Sequence, residues 1–499
     1  MDYELGSILK FLENRSILVT GSTGFLGKMF VEKILRVQPK VKRLFLLLRA
    51  TDIQTATRRL HDEVIGKEVF KIVREKHGES FEAFISEKVM PVAGDIADEN
   101  LGIVDSKMRE EMWREITVIV NLAATTNFKA RYDVALSINT LGAKNVLDFA
   151  KKCAKTDLLM HVSTAYVCGD KSGILVEKPF HIGETLNGST GLDIQKELSL
   201  SNETLEELRS QKATKDQEKI AMKELGLQRA RMYGWPNTYV FTKALGEMLI
   251  GQFKENIPVA IVRPTIVTST YKDPFPGWIE GIRTLDFLTL GYGKGKVSCF
   301  LGDPDCILDL IPGDMVVNAI VVAIVASANQ PSLLIYHVGS SMRNPLNPFV
   351  LKEYGYSYFS KHPWIGKNGN PIRVTEPVVL TSMNSFRRYM NVRYVLPLKG
   401  LKLLNIICCQ YFERTCAKIN RDIKFALDFV DLYKTYIFFK GRFDDLNMER
   451  LRVAVREAGV VVETDAFNNF DPKCIDWDDY FMNAHIPGVV KFCFQLADT

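Results

Sequence analysis

A chain of 499 residues is too long for one small core, and 46% hydrophobic with 25% charged residues is the balance of a soluble globular protein of two or three domains. A net charge of +5 spread over that length gives no nucleic-acid signal and leaves only a weak attraction to anionic lipid. Nine scattered cysteines without a CxxC pair, and seven histidines without an HExxH spacing, argue against a metal site and read as reduced cytosolic thiols.

The first residues, "MDYELGSILKFLENR", carry acids where a signal peptide is basic, so neither secretion nor organelle import is expected. "SILVTG" (16–21) then reads as a strand, 25–36 as a helix and "RLFLLLRA" (43–50) as a second strand. After a charged helical stretch come the strand-like runs "KVMPVAGD" (88–95) and "ITVIVNLAA" (116–124). The helix "NTLGAKNVLDFAKKC" leads into "LLMHVSTAYV" (158–167), and "IPVAIVRPT" (257–265) is a further strand. Continuous apolar strands between amphipathic helices predict a doubly wound α/β domain of Rossmann type, its parallel sheet covered on both faces. A polar insert precedes residue 239; its stretch 203–231 reads as exposed helix, either a solvated excursion or a lid. The apolar core of 315–342 spans about 13 residues against the roughly 20 a membrane span needs, so a buried helix followed by the strand "LLIYHV" is expected. The domains are read as 1–350, a nucleotide-binding unit with substrate-binding insertions, 351–390, a linker or irregular segment, and 391–499, a smaller helical domain.

Between the first strand and first helix, "TGSTGFLG" supplies Thr20, Gly21, Thr23, Gly24, Phe25, Leu26 and Gly27, with glycines spaced GxxGxxG. Glycines at that turn let a pyrophosphate approach backbone N–H groups at a helix N-terminus. The second strand ends on Arg49, which suits the 2′-phosphate of NADPH where NAD-binding folds present an acid. Asp95 after the third strand is placed for the adenine, and Asn121 and Ala123 in "NLAA" close the fourth strand against the cofactor.

"YVFTK" sets Tyr239 and Lys243 on one helical face, where an ammonium biases a phenol toward ionisation. The same spacing recurs at Tyr292 with Lys296 and at Tyr436 with Lys440, so context must choose. Tyr292 lies in a glycine-rich stretch and reads as loop; Tyr436 sits among C-terminal aromatics and reads as packing. Tyr239 follows Ser163 and Thr164 at a strand end and leads into the next strand and an Arg-Pro pair, the order of the extended short-chain dehydrogenase/reductases.

The ordered series "GSTGFLGK", "LLLRA", "GDI", "NLAATTNF", "VSTAYV", "YVFTKALGE", "VRPTIV", "PFPGWIEG" and "IPGDMVVNA" resembles the plant alcohol-forming fatty acyl-CoA reductases over nearly the whole chain. That resemblance implies reduction of a long-chain acyl-CoA by two NADPH, through an aldehyde, to a primary alcohol and CoA, in lipid metabolism of the wax or suberin type. Tyr239 would be the general acid, with Thr164, or Ser163 in its place, as the second donor to the carbonyl oxygen. Lys243 would hold the nicotinamide ribose, and Asn139 joins the cofactor site by analogy. Trp278 is a candidate for the acyl channel, and Asp314 reads as a helix cap or fold residue. The absence of an N-terminal extension argues against the plastid branch, and the apolar stretch 396–412 is the candidate contact with the cytosolic face of the endoplasmic reticulum. A second copy of the chain is a further candidate partner; nucleic acid is not. The rival readings are a reductase stopping at the aldehyde, a nucleotide-sugar epimerase or dehydratase, and an NADPH-sensing regulator.

Overall fold

Seven parallel strands build the central sheet: β1 (Ser16–Thr20), β2 (Arg43–Leu48), β3 (Val89–Ala93), β4 (Ile116–Asn121), β5 (Leu158–Val162), β6 (Val259–Pro264) and β7 (Leu333–Val338). The computed structural model describes residues 7–282, 284–366, 368–457, 467 and 469–493. The strand order is β7-β6-β5-β4-β1-β2-β3, so the winding reverses between β1 and β4. In such a sheet, ligands bind beyond the carboxyl ends of the strands at that reversal.

Every residue of β1, β5 and β6 is buried, as continuous apolar runs require when helices cover both faces. Helix α1 (Phe25–Val37) follows β1, and α2 (Gly142–Lys152) precedes β5. The polar insert forms two helices, α3 (Ile194–Ser210) and α4 (Lys215–Met232). Buried Glu197 anchors them by accepting from the Tyr132 hydroxyl (2.7 Å) and pairing with Arg229. Helix α5 (Thr238–Phe253) starts on an Asn237 cap, whose Oδ1 accepts from the Val240 N–H. Arg263 on β6 and Glu247 on α5, 3% and 1% exposed, form a buried ion pair that ties helix to strand. Helix α6 spans Thr284–Gly293, and α7 (Gly313–Ser327) is buried along almost its whole length, followed by β7 as expected. No helix among the described residues is long and apolar enough to cross a membrane.

The stretch expected to be irregular contains the helices Val350–Lys361 and Met383–Met390, with short strands between them. Beyond it, α8 (Leu396–Ile407) and α9 (Glu413–Ile437) form a helical hairpin around a small core of Leu380, Phe386, Met390, Leu398, Cys416 and Ile423. The chain after α9 leaves that hairpin. Gly441–Phe443 pairs in parallel with Gly173–Leu175, and α10 (Leu446–Glu457) and α11 (Ile486–Phe492) bury Met448, Leu451, Ile486 and Val489 in the main core. Within the expected helical unit 391–499, the first part thus packs on its own small core and the later segments pack into the main cores.

Candidate active site

The glycine loop closes on backbone. Gly21 has φ +72°, and a Cβ there would stand 2.6 Å from the Ala123 nitrogen; a Cβ on Gly27 would stand 2.2 Å from the Gly21 oxygen. Only glycine fits either place. Helix α1 begins at Gly24 with no side-chain cap, the arrangement that receives a phosphate. Lys28 donates to the Thr23 carbonyl (2.6 Å) and pairs with Glu280, while Phe25 stacks on Trp278 at 5.0 Å. The "PGWIEG" segment thus braces the glycine loop. Trp278, expected at the acyl chain, is 3% exposed and packed on the first turn of α1 instead. Asp314 accepts from the N–H groups of Tyr271, Lys272 and Asp273, a fold role that organises the loop before that segment.

Past β2, Arg49 is exposed and its carbonyl accepts from Arg59 (2.5 Å), so two arginines flank this edge of the crevice. Asp95 lies two residues beyond β3, its carboxylate accepting from the Ala97 N–H (3.0 Å). The β4 end is held from inside: Thr20 Oγ1 donates to Asn121 Oδ1 (2.6 Å) and accepts from the Ala123 N–H (3.2 Å). From Asn121 a buried polar chain runs on to His161 Nδ1 (3.1 Å), and from His161 Nε2 to Lys243 Nζ (3.3 Å). Lys243 also donates to the Val162 carbonyl (2.8 Å). Burial and the nearby Lys243 hold the His161 imidazole well below its ordinary pKa, so it is neutral. Asn121 Nδ2 and Lys243 Nζ both face the neutral imidazole as donors, so its one acceptor nitrogen serves one of them while the Val162 carbonyl holds Lys243. Burial draws the Lys243 ammonium down to about 8, opposed by the charge of Glu247.

The Tyr239 phenol is half-buried with Thr164 near enough to draw its pKa down, and its ring is stacked on Phe128 at 5.8 Å; Thr164 Oγ1 itself accepts from the Tyr166 N–H (3.3 Å). Ser163 Oγ is buried without a hydrogen-bond partner, and Thr164 is the hydroxyl whose influence reaches the phenol. Burial pushes Tyr239 up to about 12, with Thr164 opposing. The expected lowering by Lys243 does not appear, because the ammonium is turned to His161 and the Val162 carbonyl. Asn139, 1% exposed, spends its amide on Thr125 and Thr242, where it shapes the loop after β4. A hollow of about 580 Å³ lined by Lys10, Arg15, Ser16, Lys42 and Thr117 opens at the other, amino-terminal edge of the sheet, away from all of these groups.

A nicotinamide-cofactor-binding family model, described as male sterility protein, matches residues 19–320, and a second model of the same description matches 393–496. An alcohol-forming fatty acyl-CoA reductase of Simmondsia chinensis is 54% identical over 98% of this chain and 99% of its own. Fatty acyl-CoA reductase 1 of Arabidopsis thaliana is 50% identical over 97% and 98%. The chain belongs to the fatty acyl-CoA reductase family. Among solved structures, a reductase domain of a non-ribosomal peptide synthetase from Mycobacterium tuberculosis covers 98% of this chain and 95% of its own at TM-score 0.58 and 19% identity, which shows the shared fold.

In this reductase the C-terminal half reaches the site by a route the sequence reading missed. Tyr436 on α9, read as a packing residue, accepts a hydrogen bond from Asn237 Nδ2 (2.7 Å), the side chain that caps α5. Its ring lies 5.1 Å from both Phe128 and Tyr166. Tyr292, read as loop, lies on α6, buried and donating to the Thr375 carbonyl (2.8 Å). The Phe359 ring packs directly on Gly293 at the end of that helix, where a Cβ would stand 2.5 Å from it. His161 was also missed. Its one signal is a histidine inside an otherwise apolar central strand, a polar side chain that burial obliges to find partners.

Proposed function

We propose that this reductase converts a long-chain acyl-CoA to a primary alcohol and CoA with two equivalents of NADPH, through an aldehyde held at the same site. The observation that carries this reading is the Tyr239–Thr164 hydroxyl pair beside the buried Lys243, at the carboxyl ends of the central strands. The cofactor fits the residues present: a loop that Cβ atoms would fill, an uncapped helix N-terminus and Arg49 beyond β2 for a 2′-phosphate. Thr20 to Leu26 would hold the pyrophosphate, Asp95 the adenine, Asn121 and Ala123 the strand-end side, and Asn139 would support that side through the loop at Thr125.

NADPH supplies the hydride that each of the two reductions needs. As the carbonyl oxygen gains charge, Tyr239 and Thr164 donate to it and Tyr239 gives the proton. After the first reduction the C–S bond breaks and CoA leaves as the thiol, and Tyr239 is reprotonated from solvent before it protonates the aldehyde oxygen in the second. A phenol near pKa 12 is fully protonated at neutral pH, which suits a donor. Lys243, fixed by His161 and the Val162 carbonyl, is positioned to hold a ribose hydroxyl.

The α8–α9 hairpin tip supports peripheral contact with the cytosolic face of the endoplasmic reticulum. Leu403, Leu404, Ile406, Ile407 and Tyr411 are 54% to 82% exposed there. Buried Asn405 builds the turn beneath them, accepting from the Phe412 N–H (2.7 Å) and donating to Glu413 (2.9 Å). Cys409 and Gln410 hold φ of 48° and 64°, a left-handed pair that costs about 1–2 kcal/mol per residue. A tip this well built, with its apolar side chains turned to water, fits a lipid surface.

The test is anaerobic NADPH oxidation with C16 to C24 acyl-CoAs, counting alcohol against aldehyde. Alcohol at two NADPH per acyl-CoA, lost in Tyr239→Phe, supports the reading. Aldehyde alone moves the enzyme to a one-step reductase, and no oxidation with any acyl-CoA defeats it.

A further inference from the structure

From the surface of the hairpin to the Tyr239 phenol runs an unbroken row of aromatic rings. Phe425, Phe429 and Tyr433 recur at intervals of four on α9, which places them on one face. Successive centroids are 6.2 Å apart from Phe425 to Phe429, 4.6 Å to Tyr433, 5.3 Å to Phe128 and 5.8 Å to Tyr239. Phe287 on α6 flanks the outer end, 5.6 Å from Phe425 and 5.2 Å from Phe429. That end is open: Phe425 is 53% exposed and Phe287 36%. The inner end is the half-buried Tyr239 itself.

Resting on the acyl-CoA reading above, we propose that this row is the track of the fatty acyl chain, with the thioester at Tyr239 and the methyl end toward Phe425. Three observations select that occupant. The row ends on the phenol, so whatever lies along it has its head at the reacting groups. It is apolar, with the Tyr433 hydroxyl its one polar atom between Phe425 and Tyr239, while the exposed neighbours on α9 are charged, among them Lys424, Asp428 and Asp431. Its length also fits. The four steps trace at most roughly 22 Å, so at about 1.25 Å per carbon of extended hydrocarbon the row covers a chain of up to about 18 carbons. Covering the row removes aromatic surface from water, a gain that grows with chain length until Phe425 is reached.

Two measurements test this, one of them independent of turnover. A palmitoyl-CoA carrying a diazirine on its terminal carbon, irradiated with the full-length protein, is expected to label the α9 segment around Phe425 and the α6 segment around Phe287. Labelling around Trp278 instead would overturn the track. In the second, the ratio of kcat/KM for palmitoyl-CoA to that for octanoyl-CoA is expected to fall about tenfold in Phe429→Ala and less in Phe425→Ala, mostly through KM. An unchanged ratio in both variants also overturns it, and because the readout is a ratio, a general loss of folded protein does not mimic it. If the wild-type protein consumes no NADPH with either chain yet labels at α9, the reductase reading fails while the binding track stands.

Discussion

Polar and apolar groups are inverted between the site around Lys243 and the hairpin of α8 and α9. At the strand ends, charged and polar side chains are withdrawn from water: Lys243, His161 and Asn121 are each 1% exposed and joined by hydrogen bonds. On the hairpin, apolar side chains face water, with Ile406 and Ile407 at 74% and 75%. Each arrangement costs stability in isolation, since buried charge loses hydration and exposed hydrocarbon orders water. Under the proposed function the comparison assigns each region its ligand: a polar cofactor and a reacting carbonyl on one side, hydrocarbon on the other.

The largest expected effect breaks the polar side. Tyr239→Phe keeps the ring against Phe128 and removes the proton donor, so kcat should fall about 100- to 10,000-fold with NADPH affinity little altered, as single-turnover and fluorescence titrations would read. A loss confined to KM would remove Tyr239 from the chemistry.

Next in size is His161, a positioning residue. His161→Leu leaves Lys243 with the Val162 carbonyl alone and is expected to lower kcat/KM roughly 10- to 100-fold and to shift the alkaline limb of its pH profile. His161→Gln, which keeps a polar partner, should recover part of both. A stability loss with an unmoved pH profile would leave His161 a packing residue only.

Lys243 sharpens the comparison because its cost is measurable. Its folded pKa of about 8 lies below the ordinary 10.5, so between those values the unfolded chain holds a proton that the folded chain has released. Stability contributed by this group therefore rises with pH from about 8 to 10.5, and below pH 8 the fold bears the full cost of the buried ammonium. Lys243→Met should raise Tm at pH 7, by roughly 1–3 kcal/mol in stability, and lose that advantage toward pH 10.5 while NADPH affinity falls. In the wild type, affinity for NADPH is expected to weaken as pH rises through about 8. A variant with lower Tm at pH 7 would contradict this account.

The smallest effect tests the apolar side. Ile406→Asp with Ile407→Asp should abolish flotation with anionic liposomes and lower the ratio of turnover on liposome-borne to detergent-dispersed substrate by a few fold. Unchanged flotation would move the lipid contact elsewhere.

How much of this was legible depended on the range of the interaction. The seven strands, the glycine turn and the α5 face were readable because a β-branched run, a GxxGxxG turn and an i, i+4 pair each act within a few residues. That Thr164 rather than Ser163 influences the phenol was not readable, because a strand end does not fix which hydroxyl points inward. The stacking of Trp278 on Phe25 was not readable, because an aromatic beside Pro-Gly carries no sign of its neighbour and Phe25 is more than two hundred residues earlier.

The sequence by itself determined the sheet, the site of the cofactor turn, the Tyr239–Lys243 face and the family to which the chain belongs. Only the tertiary structure decided that His161 links Asn121 to Lys243, that "PGWIEG" braces the glycine loop and that Tyr436 reaches the α5 cap. Asn237 and Tyr436 are 199 residues apart, and that contact exists only once α9 has packed across the strand ends. Periodicity and turn chemistry are local and written residue by residue; which side chains meet is set by closure of the whole core, where many weak contacts act together.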